Sequence, residues 1–571
     1  MTNREIARVF EHIAEILSIQ AENPFKVRAY TRAAQTIADL SYPLSSLPSQ
    51  AEIEKLPGIG KAIAQKSWEL IQTGKLGYYE KLLSTPHARL TEFLRIPGLG
   101  PKHAKLIYDH LGIDSVDALR AAAERGELES LPGMGKKTQA KILQGIEQAL
   151  KYKQRSSLAE MHPRAQAILE QLSGLDPVEQ ISLAGSLRRM RDTVADVDIL
   201  VASDQADPVM DAFVSLPEVA DVLARGPTKS SILTRDGFQV DLRVVARESF
   251  GAAMHYFTGS KNHNIRIRAL GQEAGLKINE YGVFRGKRRI GGQTEEEIFG
   301  LLGLAFIPPE LREDHGEIEA AQAGELPALV ELADIRGDLH VHSRWTDGRN
   351  SIEEMALAAR KRGLRYIAIC DHSSALKMAR GLDRARLQEQ MREIDELNRK
   401  IKSFAVLKGI EVDILADGRL DLEDEVLAEL DVVVAAVHSR FDLSRAEMTA
   451  RLVKAIENPQ VNILAHPTGR IISKREPYPL DLDAVMDACL ACNTFLEVNS
   501  FPERLDLCDI HCRQARDRGV DLAISTDSHR IDHYDWLKFG IATARRGWIE
   551  KRHVINALDL KALRRKLRKA R

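Results

Sequence analysis

Three aspartates in the first half of the chain have the spacing of a metal site. Asp196 and Asp198 lie two residues apart in the β-rich run "VADVDIL", so their carboxylates project from the same face of a strand. Asp241 has the same apolar flanks in "QVDLRVV". Carboxylates on neighbouring strands repel one another unless cations lie between them, and an all-oxygen ligand set suits Mg²⁺ or Mn²⁺. The pattern therefore predicts a magnesium or manganese site.

A phosphate-binding segment precedes these aspartates. In "GSLRR", Gly185 permits a close approach of the chain, Ser186 offers a hydroxyl donor and Arg189 offers a guanidinium for phosphate. A D-x-D pair alone is often a solvated strand end, but with G-S-x-R-R and a third aspartate the pattern becomes specific. It predicts two-metal phosphoryl transfer, in which one ion lowers the pKa of an attacking hydroxyl and both neutralise the phosphate.

A second set of candidate ligands, rich in histidine, occupies the C-terminal part of the chain. His340 and His342 share a strand face in "DLHVH". This part contains seven apolar runs, and every run but the sixth ends in candidate metal ligands. After the first run, these ligands are Asp371, His372, Glu411, His438, His466, Asp527 and His529. Mixed nitrogen and oxygen ligands admit zinc or manganese. Such a cluster can generate hydroxide and neutralise a scissile phosphate, so it predicts phosphoester hydrolysis.

The elements that carry these histidines alternate between apolar runs and helical patterns. The runs are "DLHVH", "YIAICDH", "LKGIEVD", "DVVVAAVH", "VNILAHP", "TFLEVNS" and "DLAISTDSH". Repeated β-then-α units predict a parallel sheet, and seven in succession predict a closed or nearly closed barrel. Catalytic groups of such barrels collect at the C-terminal strand ends, where these ligands lie. An acidic, alanine-rich connection at 308–332 precedes the barrel.

The first 150 residues contain one short motif three times. "LPGIG", "IPGLG" and "LPGMG" are each followed by a basic helical pattern, and their glycines are Gly58, Gly60, Gly98, Gly100, Gly133 and Gly135. Two glycines permit a tight turn close to a ligand, and the next helix begins with unpaired N–H groups that suit a phosphate. One copy could be an ordinary helix–helix turn, whereas three copies predict binding to the DNA backbone.

Composition limits the alternatives. At 571 residues the chain is too long for a single hydrophobic core, so several domains are expected. The 81 basic and 82 acidic residues nearly cancel, so net charge neither requires nor excludes a nucleic-acid partner. No apolar run approaches the ~20 residues that span a bilayer and the start lacks a signal-peptide pattern, so a cytoplasmic location is expected. The cysteines, including the pairs Cys489/Cys492 and Cys508/Cys512, are interpreted as reduced, small buried side chains rather than a zinc cluster.

The aspartate region resembles the family X DNA polymerases, the group that contains DNA polymerase beta. The resemblance continues through "YFTGSKNHNIRIR" and "LKINEYGVF", and it implies that the three aspartates hold two ions. Met190 departs from it, since many relatives carry glycine there. The resemblance also implies that Ser186 and Arg189 bind the incoming triphosphate, and that Tyr256 and Phe257, in the turn ending at Gly259, contact the sugar. It further implies that Asn264 contacts the minor-groove edge of the nascent pair and Arg268 that of the template.

The N-terminal segment resembles the small lyase domain of the same family. The resemblance rests on "FKVRAYTRAA" and "LPGIGKAIAQK". It places Lys26 at a 5′-phosphate contact and Lys66 at the position of the Schiff-base lysine. Ala62 stands where vertebrate relatives carry a basic phosphate contact.

From about Asp334 onward the chain resembles the PHP domain, named for polymerase and histidinol phosphatase. The series H-x-H, D-H, E, H, H and D-x-H implies three metals, of which the first and second share a bridging glutamate. The implied ligands are His340, His342, Glu411 and Asp527 for the first metal, Glu411, His438 and His466 for the second, and Asp347, His372 and His529 for the third.

These observations predict a multidomain chain with a helix-hairpin-helix N-terminal region, an α/β nucleotidyltransferase palm and thumb, and a C-terminal PHP (β/α)7 barrel. The expected boundaries are 1–84 for the lyase-like domain, 85–152 for helix-hairpin-helix fingers, 153–250 for the palm, 251–318 for the thumb, 319–333 for a linker and 334–571 for the PHP domain. The expected function is gap filling in base excision repair by a monomer that uses deoxynucleoside triphosphates on gapped or nicked DNA. The barrel is expected to add 3′-5′ exonuclease activity and processing of abasic sites.

Three other interpretations stay open. The chain could be a phosphatase or abasic-site endonuclease whose polymerase half only binds DNA, or the barrel could be a scaffold without metals. Loss of a palm aspartate would favour the first and loss of barrel ligands the second, but the sequence retains both sets. A small-molecule nucleotidyltransferase would leave the three glycine motifs unexplained.

The glycine motifs generate a first prediction about DNA binding. Affinity for gapped DNA should fall about a thousandfold or more between ~0.05 and ~0.2 M salt, because backbone contacts release counterions. It should differ little between unrelated sequences, because the motifs contact no base edges. Fluorescence anisotropy over a salt series checks both. A flat salt slope together with strong sequence preference would contradict the assignment.

Overall fold

The computed structural model describes residues 1, 3–38, 40, 44–96, 99–151 and 155–568. They form two compact units, Met1–Gln154 and Arg155–Arg571. Gly98, one of the predicted DNA-binding glycines, lies outside the described residues. No helix of the described part is long and apolar enough to cross a membrane.

The described residues of the first unit form helices only. Its α-helices are α1 Asn3–Ile19, α2 Pro24–Ala38, α3 Gln50–Glu54, α4 Lys61–Thr73, α5 Gly77–Leu83, α6 Pro101–Leu111, α7 Val116–Glu124 and α8 Lys136–Lys151. Short 3-10 segments lie at Leu44–Ser46, Pro86–Arg95 and Glu127–Ser130. Two apolar clusters hold the helices together, one around α1, α2 and α4 and the other around α6, α7 and α8.

The repeated glycine motifs form matching turns before α4 and α8. Gly58 and Gly133 both have φ of 77°, a left-handed conformation that glycine adopts without steric cost. The N–H of Ile59 donates to the Leu56 carbonyl at 3.1 Å, and the N–H of Met134 donates to the Leu131 carbonyl at 3.0 Å. The sequence repeat is thus also a structural repeat.

The second unit begins with a five-stranded sheet that corresponds to the palm. Its strands and small pairing segments are β1 Ser156–Ser157, β2 Gln180–Leu183, β3 Thr193–Val194, β4 Asp196–Ala202, β5 Val219–Arg225, β6 Lys229–Thr234 and β7 Gln239–Val245. The helices are α9 Leu158–Ser173, α10 Gly185–Arg188 and α11 Ala206–Val214. The sheet order is β2-β4-β7-β6-β5, and β4 pairs with β7 in parallel, which sets Asp198 opposite Asp241.

The thumb follows as a small α/β layer. It contains α12 Phe250–Thr258, α13 Lys261–Glu273, β8 Lys277–Asn279, β9 Gly282–Arg285, β10 Arg288–Gly291, α14 Glu295–Leu301 and α15 Glu317–Ala323. The three strands form an antiparallel sheet in the order β10-β9-β8.

The C-terminal part is a parallel barrel of seven strands, which confirms the predicted architecture. The strands are β11 Gly337–Val341, β12 Tyr366–Ile369, β13 Ala405–Asp413, β14 Val432–Ala436, β15 Ile463–Leu464, β16 Phe495–Asn499 and β17 Leu522–Ser525. The helices are α16 Ile352–Lys361, α17 Arg384–Lys400, α18 Asp424–Leu427, α19 Arg445–Ile456, α20 Leu482–Cys492, α21 Asp509–Arg518, α22 Leu537–Arg546 and α23 Leu560–Leu567. The strands pair in chain order, and a parallel bridge between Val341 and Ser528 nearly closes the barrel.

The barrel and the palm share one apolar core. Leu505 and Phe539 of the barrel are buried in the cluster that contains palm residues such as Val197 and Val240. Trp548 is likewise buried in the cluster of the thumb. Because these side chains leave water only when the domains meet, the three parts pack as one body.

Candidate active sites

The palm brings its predicted carboxylates together at the edge formed by β4 and β7. Asp198 and Asp241 are direct neighbours across the parallel pair, and Asp196 lies two residues before Asp198 on the same face. Gly185 packs against this edge, since a Cβ there would lie 2.2 Å from Asp198 Oδ2. Glycine is therefore required for the G-S turn to reach the carboxylates.

The electrostatics of the palm differ from one carboxylate to the next. Burial raises the pKa of Asp198 to about 7, and the neighbouring Asp196 and Asp241 add to this. Burial would also raise the pKa of Asp241, but hydrogen bonds from Lys229, Gln239 and Ser231 outweigh it and lower the value. Buried like charges of this kind are the environment that a bound cation relieves.

Lys229 is a palm residue that the sequence did not single out. Its Nζ lies 2.5 Å from Asp241 Oδ2, so an ammonium group stands beside the carboxylate where a cation is expected. Among the described residues, three groups are close enough to hold one ion each, and all three are in the barrel. The palm carboxylates are not among these groups, and Lys229 and Gln239 engage Asp241.

Arg189, predicted to bind phosphate, is engaged by protein groups. Its Nε lies 3.0 Å from Glu313 Oε1, and its Nη1 donates to the Thr258 carbonyl. Ser186 is half-buried in the same turn. Met190 has φ of 55°, the left-handed conformation in which the relatives' glycine would be unstrained.

The predicted sugar and minor-groove residues lie together at the end of α12 and on α13. The Tyr256 and Phe257 rings meet edge to face at 5.1 Å, just before Gly259, which has φ of 70°. Asn264 Nδ2 donates to the Tyr256 carbonyl at 2.7 Å. Tyr256, Asn264 and Arg268 line one small pocket, to which Asn279 also contributes.

In the first unit, the ammonium groups of Lys66 and Lys26 both lie near the ring of Tyr78. The Nζ atoms are 5.0 Å and 5.8 Å from the centroid of the Tyr78 ring. Burial, and next the charge of Lys26, lower the pKa of Lys66. A lowered pKa increases the fraction of neutral amine, which a Schiff-base nucleophile requires.

The barrel gathers its ligands around the buried Glu411. His372 Nδ1 lies 2.8 Å from Glu411 Oε2, while His466 Nε2 and His438 Nε2 lie 3.0 Å and 3.2 Å from Oε1. His340 Nε2 is 3.5 Å from Oε2. One carboxylate therefore contacts histidines from four other strand ends.

Three compact groups of barrel ligands could each hold one ion. They are His340, His342 and Asp527; His372, Glu411 and His438; and His342, Asp347, His372 and His529. The first and third agree with the predicted sets except that Glu411 is not part of the first group and His342 joins the third. The second group contains His372 where the prediction had His466. His466 lies outside this group, although it also contacts Glu411.

These residues fit metal ions in their chemistry as well as their spacing. Buried atoms at the centre of the barrel lack hydrogen-bond partners within the described part of the chain, among them His340 Nε2, His342 Nε2 and Glu411 Oε2. Although burial lowers the pKa of a histidine, Glu411 and other carboxylates raise that of His372 to about 10 and that of His438 to about 9. Burial lowers the pKa of His342 to about 3 and also lowers that of His466, so carboxylates hold positive charge on only part of the cluster, and a metal can supply the rest while releasing protons.

The sixth strand contributes support rather than a ligand. Glu497 Oε1 lies 2.8 Å from His340 Nδ1, and Oε2 accepts the N–H of His466 at 2.8 Å. Asn499 donates to Glu497 and to Asp527, each at 3.1 Å. Glu497 and Asn499 were not predicted from the sequence, because an E-x-N pattern at a strand end does not by itself distinguish such a role.

Asp371 is likewise a supporting residue and belongs to none of the three groups. It accepts hydrogen bonds from Ser343 Oγ at 2.6 Å and from Gln390 Nε2 at 2.6 Å. It also accepts the hydroxyl of Thr346, which immediately precedes Asp347. Asp371 therefore holds the loop that presents Asp347.

The cysteines form no metal group in the described structure. All five are free, Cys489 and Cys512 are buried, and none belongs to a set of ligands close enough for one ion. Cys489 on α20 and Cys512 on α21 are buried as interpreted from the sequence, whereas Cys492 and Cys508 are half-buried.

Fold and sites together define a polymerase-type nucleotidyltransferase joined to a phosphoesterase-type metal centre. Family models match the chain as "DNA polymerase beta thumb" at 253–313, "Helix-hairpin-helix domain" at 1–76, "SAM-like Helix-hairpin-helix tandem" at 90–148 and "PHP domain" at 338–471. A DNA polymerase/3′-5′ exonuclease PolX of Bacillus subtilis is 41% identical over 568 residues, covering 98% of each chain. The chain belongs to the PolX family, the family X DNA polymerases that carry a C-terminal PHP domain.

More distant relatives match the two halves separately. DNA polymerase lambda of Rattus norvegicus is 25% identical over 348 residues, which are 54% of this chain and 56% of that protein. A probable phosphatase of Thermoanaerobacter sp. is 31% identical over 205 residues, 34% of this chain and 78% of that protein. The chain thus resembles one protein of each chemistry that its two sites predict.

Glu497 generates a prediction for the barrel. Glu497→Gln should weaken metal binding to the barrel about 10- to 100-fold, because the charge that orients His340 is lost. Calorimetric titration of metal-free protein with Mn²⁺ or Zn²⁺ measures the change. Glu457→Gln, an exposed position just after α19, is the matched control. Equal affinity in Glu497→Gln and the control would show that Glu497 has no part in the metal site.

Proposed function

We propose that this PolX-family chain fills short gaps in DNA during base excision repair and removes 3′-terminal nucleotides in its barrel. The observation that carries the proposal is the coexistence of two complete residue sets, the β4/β7 carboxylates beside Gly185 and the histidine cluster around Glu411. The similarity to the Bacillus subtilis PolX over nearly the whole chain supports both activities.

In the palm, we assign synthesis to Asp196, Asp198 and Asp241 with Mg²⁺ or Mn²⁺. Ions bound there would lower the pKa of the primer hydroxyl and neutralise the triphosphate. Ser186 and Arg189 would bind the triphosphate after Arg189 turns away from Glu313. Lys229 would release Asp241 when a cation arrives, because both compete for the same carboxylate.

The remaining polymerase contacts follow from the pocket at the end of α12. Tyr256 and Phe257 would bound the sugar, and Gly259 leaves room for the Arg189 guanidinium, whose Nη1 would lie 3.1 Å from a Cβ there. Asn264 and Arg268 would meet the minor-groove edges of the nascent pair and the template. The buried Asn264 Oδ1 has no hydrogen-bond partner among the described residues and so offers an acceptor.

In the barrel, we assign DNA degradation to the three ligand groups with Mn²⁺ or Zn²⁺. Bound ions would generate the attacking hydroxide and neutralise the scissile phosphate. The metal ligands would be kept oriented by their supporting residues, which are Glu497, Asn499 and Asp371. The similarity of this region to probable phosphatases makes removal of 3′-phosphates, or cutting at abasic sites, the second candidate activity.

The partners belong to the same proposal. Gapped or nicked DNA would be bound through the glycine motifs and Lys26, and deoxynucleoside triphosphates through the palm. We propose that the chain acts as a monomer in the cytoplasm.

Two variants test whether the activities separate. Asp241→Ala should abolish gap filling and spare degradation, since loss of a palm carboxylate costs on the order of several kcal/mol of barrier. His342→Ala should abolish degradation and spare gap filling, because distant sites behave independently. Primer extension and degradation on gapped DNA measure both. Polymerisation by folded Asp241→Ala would refute the palm assignment, and equal loss of synthesis in His342→Ala would make the barrel a scaffold.

Lys66 is proposed as the nucleophile for abasic sites. Borohydride trapping on abasic DNA should be lost in Lys66→Ala, because the amine with the lowered pKa is removed. Lys61→Ala, an exposed lysine on the same helix, is the matched control and should trap as the unchanged protein does. Undiminished trapping in Lys66→Ala would assign the reaction to another amine.

A further inference from the structure

Three arginines surround one buried glutamate where the palm, the thumb and the barrel meet. Glu313, at the end of the thumb, is only 9% exposed. Its Oε1 lies 3.0 Å from Arg189 Nε of the palm, 3.0 Å from Arg546 Nη1 of the barrel and 3.6 Å from Arg191 Nη1. Burial would raise the pKa of Glu313, but Arg546, Arg189 and Arg191 hold it at about 2.

Arg546 makes more contacts here than charge neutralisation requires. It is the last residue of α22 and 4% exposed, and its Nη1 also donates to the Arg189 carbonyl at 2.9 Å. Its Nε and Nη2 lie 2.9 Å and 2.7 Å from Asp509 Oδ2, at the start of α21. The barrel therefore fixes both the main chain and, through Glu313, the side chain of Arg189.

The position of Arg189 matters because it follows the turn of the palm site. Its N–H donates to the Gly185 carbonyl at 3.3 Å, and Gly185 packs on Asp198. A second barrel contact reaches the same loop, since Arg470 Nη1 lies 3.1 Å from Asp192 Oδ2. Two barrel arginines thus anchor the segment that follows Gly185.

We propose that Arg546 of the exonuclease barrel is a positioning residue of the polymerase site, which holds Glu313 and the Arg189 main chain so that the Arg189 guanidinium can turn to the incoming triphosphate. The inference rests on the proposed nucleotide role of Arg189. When Arg189 leaves Glu313, Arg546 remains as its partner, and the buried carboxylate is not left unpaired. Without Arg546, Arg191 remains beside Glu313 at the longer distance of 3.6 Å, so Glu313 would hold Arg189 more strongly and compete with the nucleotide.

The test is single-nucleotide gap filling with Arg546→Met, which removes the charge and keeps most of the volume. The KM for the nucleotide should rise about tenfold with a smaller change in kcat, since binding of the triphosphate is affected rather than the chemical step. Arg545→Met is the matched control, because Arg545 on the same helix contacts Glu310 and the Val330 carbonyl but not Glu313. Degradation of single-stranded DNA and thermal unfolding report whether the barrel remains folded.

A double-variant comparison separates this route from general loss of structure. Arg189→Met should raise the KM on its own, and Arg546→Met should add nothing in the Arg189→Met background. If Arg189→Met leaves the KM unchanged, the nucleotide role of Arg189 fails. If Arg189→Met raises the KM but folded Arg546→Met does not, or if the two effects multiply, the positioning role of Arg546 is overturned.

A lysine variant keeps the proposal testable if Arg546→Met does not fold. Arg546→Lys retains a charge for Glu313 but lacks the planar set of donors that reaches Arg189 and Asp509 together. Its KM should lie above that of the unchanged protein. A KM equal to that of the unchanged protein in folded Arg546→Lys would overturn the role of the shared donors.

Discussion

A carboxylate that leaves water must be paired, and this requirement shapes both active sites and the joint between them. Glu411 is buried among histidines from four strand ends, Asp241 is held by Lys229, and Glu313 is held by arginines from two domains. In each place the protein supplies positive charge that a cation or another arginine can replace. Sites built in this way offer ligands that a metal can take over from the protein's own positive charges.

The sequence predicted the strands and the ligands on them because both follow local rules. Continuous apolar runs identified all seven barrel strands, six of them with a histidine or carboxylate at the end, and D-x-D between apolar flanks identified the palm edge. Strand ends of a parallel barrel meet at one rim, so one central cluster could be predicted without knowing distances, whereas its division into three sets came from the resemblance to the PHP domain. That resemblance placed His466 in the second set, where the structure brings His372 together with Glu411 and His438; the difference lies in side-chain directions, which no spacing rule provides.

The supporting residues could not be predicted because their partners are distant in the chain. Glu497 serves His340 from 157 positions away, and Arg546 contacts the Arg189 carbonyl across 357 positions. A glutamate inside an apolar run and an arginine at a helix end are both common without such roles. Burial and geometry, which appear only in the folded chain, distinguish them from surface charges.

The shared core explains why synthesis and degradation occur in one chain. Phe539 and Leu505 pack the barrel against the palm. Arg546 adds a hydrogen bond to the Arg189 carbonyl, in the loop beside the palm carboxylates. We propose that two separate metal centres serve the two reactions. A crystal grown with Mn²⁺ and measured for anomalous scattering tests it most directly. Peaks are expected both at Asp198 and Asp241 and within the three barrel groups, whereas peaks at the palm alone, beside well-ordered barrel histidines, would show that the barrel binds no metal.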